Sequence, residues 1–228
     1  MDSREDSFII NEFINYIENK NFPCVAAKAS LNKMNCNIMV ADNIACPNDD
    51  GKILEFIYDF VDNYRKSDKA FSSLAIIFKN FQPATEDVFD TFMWQRLQAL
   101  SILDSEQYNY DKRVNNDPDS ANFSFSIKEE AFFIIGLHRA SSRVARKFKY
   151  PTLVFNPHAQ FEVMKQTDQY NKIQKIVRTR DLNLSGSINP MLENYGTASE
   201  VYQYSGKQYD AQWQCPLNIK HAKNNTTP

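Results

Sequence analysis

Two short runs without a polar residue constrain this chain most: Leu74-Ala75-Ile76-Ile77-Phe78, and the seven residues from Ala131 to Leu137, AFFIIGL. Neither approaches the roughly 20 apolar residues that span a bilayer. Neither shows the apolar–polar alternation of a strand with one wet face. A strand that is apolar on both faces must be covered on both, so each reads as a buried strand in a sheet packed by helices.

Helical periodicity supplies the cover. Ile9, Ile10, Phe13, Ile14 and Ile17 recur at helical spacing and stop before Phe22-Pro23. Ile53, Leu54, Ile57, Phe60, Val61 and Tyr64 form a second such face, and residues 86–103 a third through Val88, Phe89, Phe92, Leu97 and Leu100. Residues 157–178 also read as helix, and residues 141–148 as a short helix capped by Ser141. Residues 24–29, 38–41 and 152–155 read as strands. Phe123-Ser124-Phe125-Ser126-Ile127 alternates and is followed by Lys128-Glu129-Glu130, a hairpin turn without the usual glycine or asparagine. The expectation is an α/β or α+β fold, a mixed β-sheet with flanking helices, as one compact domain over residues 1–228. Residues 104–122 form a long polar stretch, either a lid or binding loop or a solvated excursion. The polar residues from Lys220 onward read as a flexible tail.

Aromatic residues make up 13% of the chain, including 17 Phe and 11 Tyr, so rings fill much of the core. A net charge of −2 gives no basic field for nucleic acid or a membrane surface. The N-terminal MDSREDSF is charged where a secretory signal needs an apolar core, so a cytoplasmic location is expected. The four cysteines, at positions 24, 36, 46 and 215, form no CxxC pair and are expected as reduced thiols. With five glycines there is no GxGxxG and no phosphate loop; HExxH and GxSxG are also missing.

Three stretches remain as candidates for chemistry. In Gly136-Leu137-His138 a buried strand delivers a histidine, followed by Arg143 and Arg146, which would share a helical face and suit a carboxylate. The alternative is a satisfied strand-end histidine followed by a solvated basic helix. In Asn156-Pro157-His158 the histidine falls at a helix N-terminus, which favours the neutral imidazole that ligates metal. The alternative is Asn156 as an ordinary helix cap. The third stretch runs from Arg178 to Pro216 and interleaves polar groups with aromatics, as a pocket wall does, or as irregular chain packed on the core does.

Taken with FSFS, the segments AFFIIGLHRASSRVARKF, PTLVFNPHAQFE, RTRDLNLSGSINPML, ASEVYQYSGKQYDAQWQCP and FPCVAAKA resemble the YqcI/YcgG family, strongest over residues 123–216. That family includes the haem-dependent N-hydroxylase of guanitoxin biosynthesis and related arginine-type N-hydroxylases. The resemblance implies a b-type haem whose iron activates dioxygen and hydroxylates a nitrogen of a small-molecule guanidine or amine. The axial ligand would be His138, then His158, with a Cys24 or Cys215 thiolate third. Arg143 and Arg146 would pair with haem propionates or a substrate carboxylate, and Asp181, Glu162 or Glu200 would meet a substrate guanidinium. Asn156, Tyr204 and Trp213 would line the pocket with Cys24 and Cys215. Electrons would come from an external donor, because the chain has no flavin or nicotinamide motif. A homodimer is left open, as is a non-catalytic haem or small-molecule binding protein of the same fold. The sequence departs from the family pattern at Arg139, where proline is expected, at Lys207, where arginine is expected, and in the turn at 128–130, which normally contains glycine.

Overall fold

A computed structural model describes residues 4–66, 71–166, 169–186 and 198–221. Its centre is a five-stranded mixed sheet in the order β1 (Cys36–Ala41), β2 (Ser73–Phe78), β5 (Thr152–Pro157), β4 (Glu130–Leu137), β3 (Phe125–Ile127). The β1–β2 pair is parallel, with helix α3 (Asp50–Arg65) as its crossover, and the other pairs are antiparallel. The fold is therefore the single α/β domain expected, and both apolar runs are interior strands.

The alternation of side chains along β2 sorts the core into two layers. Leu74, Ile76 and Phe78 point to α3 and α4 (Glu86–Asp104), joined there by Phe125, Phe132, Ile134 and Phe155. Ala75 and Ile77 point the other way and meet Ile9, Phe13 and Ile17 of α1 (Arg4–Glu18), with Leu137 and Phe148. At about 25 cal/mol per Å² of buried apolar surface, these two layers supply the main drive to fold. No helix among the described residues is long and apolar enough to cross a membrane.

Three local expectations are corrected. Residues 24–29 do not form a strand: they open helix α2 (Val25–Asn32), with Cys24 Sγ capping it by accepting from Ala27 N–H at 3.4 Å. The run Ala26-Ala27-Lys28-Ala29 has high helix propensity, which outweighs its apolar look. Residues 141–148 form no helix, only a 3₁₀ turn at Val144–Arg146, because His138 N–H pairs with the Arg146 carbonyl at 3.0 Å and folds the segment back on β4. Ser141 Oγ accepts from Arg143 N–H rather than capping a helix. Finally, His221 is not part of a frayed tail. It is buried, with Nε2 at 2.9 Å from Asp104 Oδ2 at the end of α4.

His221 ends a strap, residues 213–221, that runs along α4. Gln98 grips its middle by donating to the Asn218 carbonyl at 2.9 Å and accepting from Asn218 N–H at 2.6 Å. The hairpin turn is real and unusual: Lys128 and Glu129 both have positive φ, 53° and 57°. Tertiary contacts hold it there. Asp104 accepts from Lys128 N–H, and Arg65 donates to both turn carbonyls at 2.9 and 2.8 Å.

Candidate functional site

His138 is the first residue beyond β4 and is fully buried. Its backbone is fixed, with N–H on Arg146 and C=O accepting from Ser141 N–H. Its ring lies flat on Phe89 of α4. Neither Nδ1 nor Nε2 has a hydrogen-bond partner. Burial, helped by the nearby Arg146 cation, pulls its pKa down to about 4, so at neutral pH the ring is uncharged with a free lone pair. Buried polar atoms without partners are uncommon, and they mark a cost that another interaction must offset.

The residues after His138 converge on the same corner. Arg146 is partly buried and donates to the carbonyls of Gly136 (3.0 Å), Tyr204 (3.0 Å) and Gln203 (2.8 Å). It thereby ties the Gln203-Tyr204-Ser205-Gly206 segment to the end of β4. Gly206 has φ +84°, and a methyl there would meet Arg146 Cγ at 3.3 Å, so the glycine is needed for conformation and space. Arg143 instead pairs with Asp181 of α6 (Gln169–Ser185) at 2.6 Å. The two arginines share no helical face. Cys24 and Tyr16 lie close enough to Arg146 to feel its charge, and burial raises both their pKa values.

The other candidates lie elsewhere. His158 opens α5 (His158–Gln166), as expected for a helix N-terminus, and burial pulls its pKa down to about 4. However, β4 and β5 run antiparallel, with Leu137 opposite Thr152 and Phe132 opposite Pro157. His138 and His158 therefore flank opposite ends of the ladder, roughly 20 Å apart at about 3.4 Å per residue. A single iron does not reach both. Asn156 stays in β5 and donates to the Phe133 carbonyl at 3.2 Å instead of capping the helix. Glu162 pairs with Lys165 at 3.4 Å.

Glu200 is interior and accepts from Ser124 Oγ at 2.9 Å and from the Tyr204 hydroxyl. Burial pushes its pKa up to about 8. At neutral pH it is a protonated acid, unsuited to hold a guanidinium by charge. Burial likewise pushes Cys215 up to about 12, which keeps it a thiol. Of the stretch 178–216, residues 187–197 lie outside the described residues.

Among the described residues no three His, Cys, Asp or Glu side chains cluster as a metal cage. A lone, neutral, unpaired imidazole fits an iron that brings its other ligands with it, as a porphyrin iron does. Four described cavities, lined by residues 110–122 with 217–219 (690 Å³), by α4 with 213–216 (510 Å³), by α6 (210 Å³) and by Tyr16 with Val144 (240 Å³), do not reach His138.

The profile of the YqcI/YcgG family matches residues 11–218. The chain belongs to the YqcI/YcgG family. It is 26% identical over 196 residues to the uncharacterized protein YqcI of Bacillus subtilis (strain 168), covering 83% of this chain and 72% of that one. No solved structure matches.

In this YqcI/YcgG-family chain the sequence left one constellation unread, on α4. Trp94 Nε1 donates to Asp90 Oδ1 at 2.9 Å, the Tyr209 hydroxyl donates to the same oxygen, and Ser205 Oγ is 2.7 Å from that hydroxyl. Trp213 stacks on Tyr209 at 3.8 Å. The only trace in the sequence is an Asp and a Trp four residues apart, within helical reach of each other. Asp90 is one of several polar residues, with Arg96, Ser101 and Asp104, on the buried side of α4.

Proposed function

We propose that the protein is a haem-dependent oxygenase that N-hydroxylates a free guanidino or amino compound, with His138 as the axial ligand of a b-type haem. One observation carries the reading: a buried, neutral imidazole with neither nitrogen partnered. Bound haem would supply the activation of dioxygen. His138 would hold the iron through a ring whose plane is set by Phe89 and whose backbone is pinned to Arg146 and Ser141. The surrounding phenylalanines would keep bulk water away. Amine, dioxygen, two electrons and two protons give the N-hydroxy product and water; the electrons would come from an external donor, as the chain has no flavin or nicotinamide motif. The site's place is the cytoplasm.

A second reading is a non-catalytic haem or small-molecule binding protein of the same fold, in which His138 would hold its ligand without turnover.

The test is an absorption spectrum of the full chain reconstituted with haemin, oxidised, reduced and then exposed to carbon monoxide. A Soret band that moves with carbon monoxide, is lost in His138→Ala and survives in His158→Ala supports the oxygenase. A band indifferent to carbon monoxide favours the binding protein. No haem uptake, or a His138→Ala spectrum like that of the unaltered protein, overturns the assignment.

A further inference from the structure

The geometry points to a second site, independent of haem: the 510 Å³ groove between α4 and the strap binds an organic monocation, an alkylammonium or guanidinium carried on an apolar stem.

The carboxylate comes first. Asp90 is 8% exposed, and its Oδ1 is held by Trp94 Nε1 and the Tyr209 hydroxyl. Two donors on one oxygen fix the carboxylate plane. Among the described residues Oδ2 has only a long contact, Lys207 Nζ at 3.9 Å. Of the ten residues lining the groove, Asp90 alone is charged, in a mostly apolar wall, and its charge is shared only at 3.9 Å with Lys207, which lies outside the lining. A nearly buried carboxylate with one oxygen lightly engaged favours a cation that can donate to it, with charge-assisted bonds worth about twice neutral ones.

The walls are aromatic. Trp94 and Trp213 line the groove with ring centroids 5.8 Å apart, and Tyr209 backs Trp213. Tryptophan faces attract cations more strongly than other aromatic rings do. The protein already displays this preference at the groove's edge. The Lys207 ammonium sits 2.8 Å from Asp87 and 5.5 Å from the Tyr209 centroid, a tethered organic cation held between carboxylates and an aromatic ring. Ile102, Ala99 and Pro216 furnish the apolar side along which a stem would lie.

The chain has two tryptophans, and both are in this wall. Emission excited selectively in tryptophan therefore comes from this wall alone. The experiment titrates the full chain, without haem, with butylguanidinium and butylammonium, and with the neutral isostere butylurea. The expected result is a saturable emission change with either cation, and binding at least about tenfold weaker for butylurea and for Asp90→Asn. Asparagine keeps an oxygen for Trp94 and Tyr209. Gln95→Lys, at an exposed position on the rim, should weaken the cations several-fold without touching the core. The inference is overturned by no saturable change, by butylurea binding as well as the cations, or by both variants binding like the unaltered protein. Failure of haem reconstitution would leave these outcomes unaffected.

Discussion

The imidazole of His138 and the ring of Phe89 are stacked, with centroids 4.1 Å apart and planes 14° from parallel. The contact joins the end of β4 to the first turn of α4. It exists because Gly136, two residues earlier on the same face of β4, leaves room for the Phe89 edge.

A methyl on Gly136 would fall 2.7 Å from Phe89 Cε1 and 3.1 Å from the Tyr204 carbonyl oxygen. Gly136→Ala is therefore expected to push Phe89 off His138 and to destabilise the fold by about 1–3 kcal/mol. Urea unfolding gives the loss as a lower midpoint. An unchanged midpoint would mean the helix yields freely at this point.

If His138 ligates iron, His138→Gly leaves a cavity of imidazole shape beside Phe89. Free imidazole at millimolar concentration is then expected to restore the Soret band that the variant lacks. Loss of the band without such rescue would mean that the ring acts through folding and not as a ligand.

The acid side of the stability profile should follow the buried histidines. His138 and His158 have folded pKa values near 4, below the roughly 6.5 of an unfolded chain. The unfolded state therefore takes up protons first, and stability present above about pH 6.5 is lost as pH falls towards about 4. The slope is about 1.4 kcal/mol per pH unit for each ring. His138→Gln, uncharged throughout, should lose less, and the gap between it and the unaltered protein should narrow by about 1 kcal/mol per unit between about pH 6.5 and 5. Parallel curves would show that His138 takes up no proton on unfolding.

Glu200 acts in the opposite direction. Its folded pKa of about 8 stands above the unfolded value, so the folded state holds a proton that the unfolded state has released. Stability then declines as pH rises from about 4.5 through about 8. Glu200→Gln keeps an oxygen for Ser124 and Tyr204 and removes the charge. It should be more stable than the unaltered protein at neutral pH, on the order of 2–3 kcal/mol, with the gain vanishing below about pH 4.5. Thermal melts across this range decide it.

Glu129 carries φ 57° in the hairpin turn, where glycine is at ease. Glu129→Gly should relieve that strain while leaving the Lys128 contacts with Asp62 and Asp104 in place. We expect a gain of about 0.5–1 kcal/mol in chemical unfolding. A loss would show that the Glu129 carboxylate, 3.4 Å from Asn109 Nδ2, matters more than the backbone.

Much of the architecture was legible because β2 and β4 lie in the interior and say so: an unbroken apolar run has one comfortable location. Helices α1, α3 and α4 were equally plain from their apolar spacing. Residues 24–29 and 141–148 were misread where local pattern met a competing force, alanine propensity in the first and the Arg146 tie to β4 in the second. The site was legible in part. His138 announced itself as a polar residue at the end of a buried run, but the engagement of Arg146 with three carbonyls depends on residues 57 and 58 positions away, which no local pattern encodes. Asp90 and His221 went unseen for the same reason: Tyr209 lies 119 residues from the first, and Asp104 117 from the second.

The strap is a shared partition. Trp213, Gln214 and Pro216 face one groove, while Leu217, Asn218 and Ile219 face the other; Gln98 fastens Asn218 and Asp104 fastens His221. A molecule seated on either side leans on a different stretch of the same continuous strap. Any displacement that enlarges one chamber at the expense of the other links the two occupancies, and such linkage is reciprocal by thermodynamic necessity. Fastened at Asn218 and His221, the strap is the one element through which such a linkage would pass.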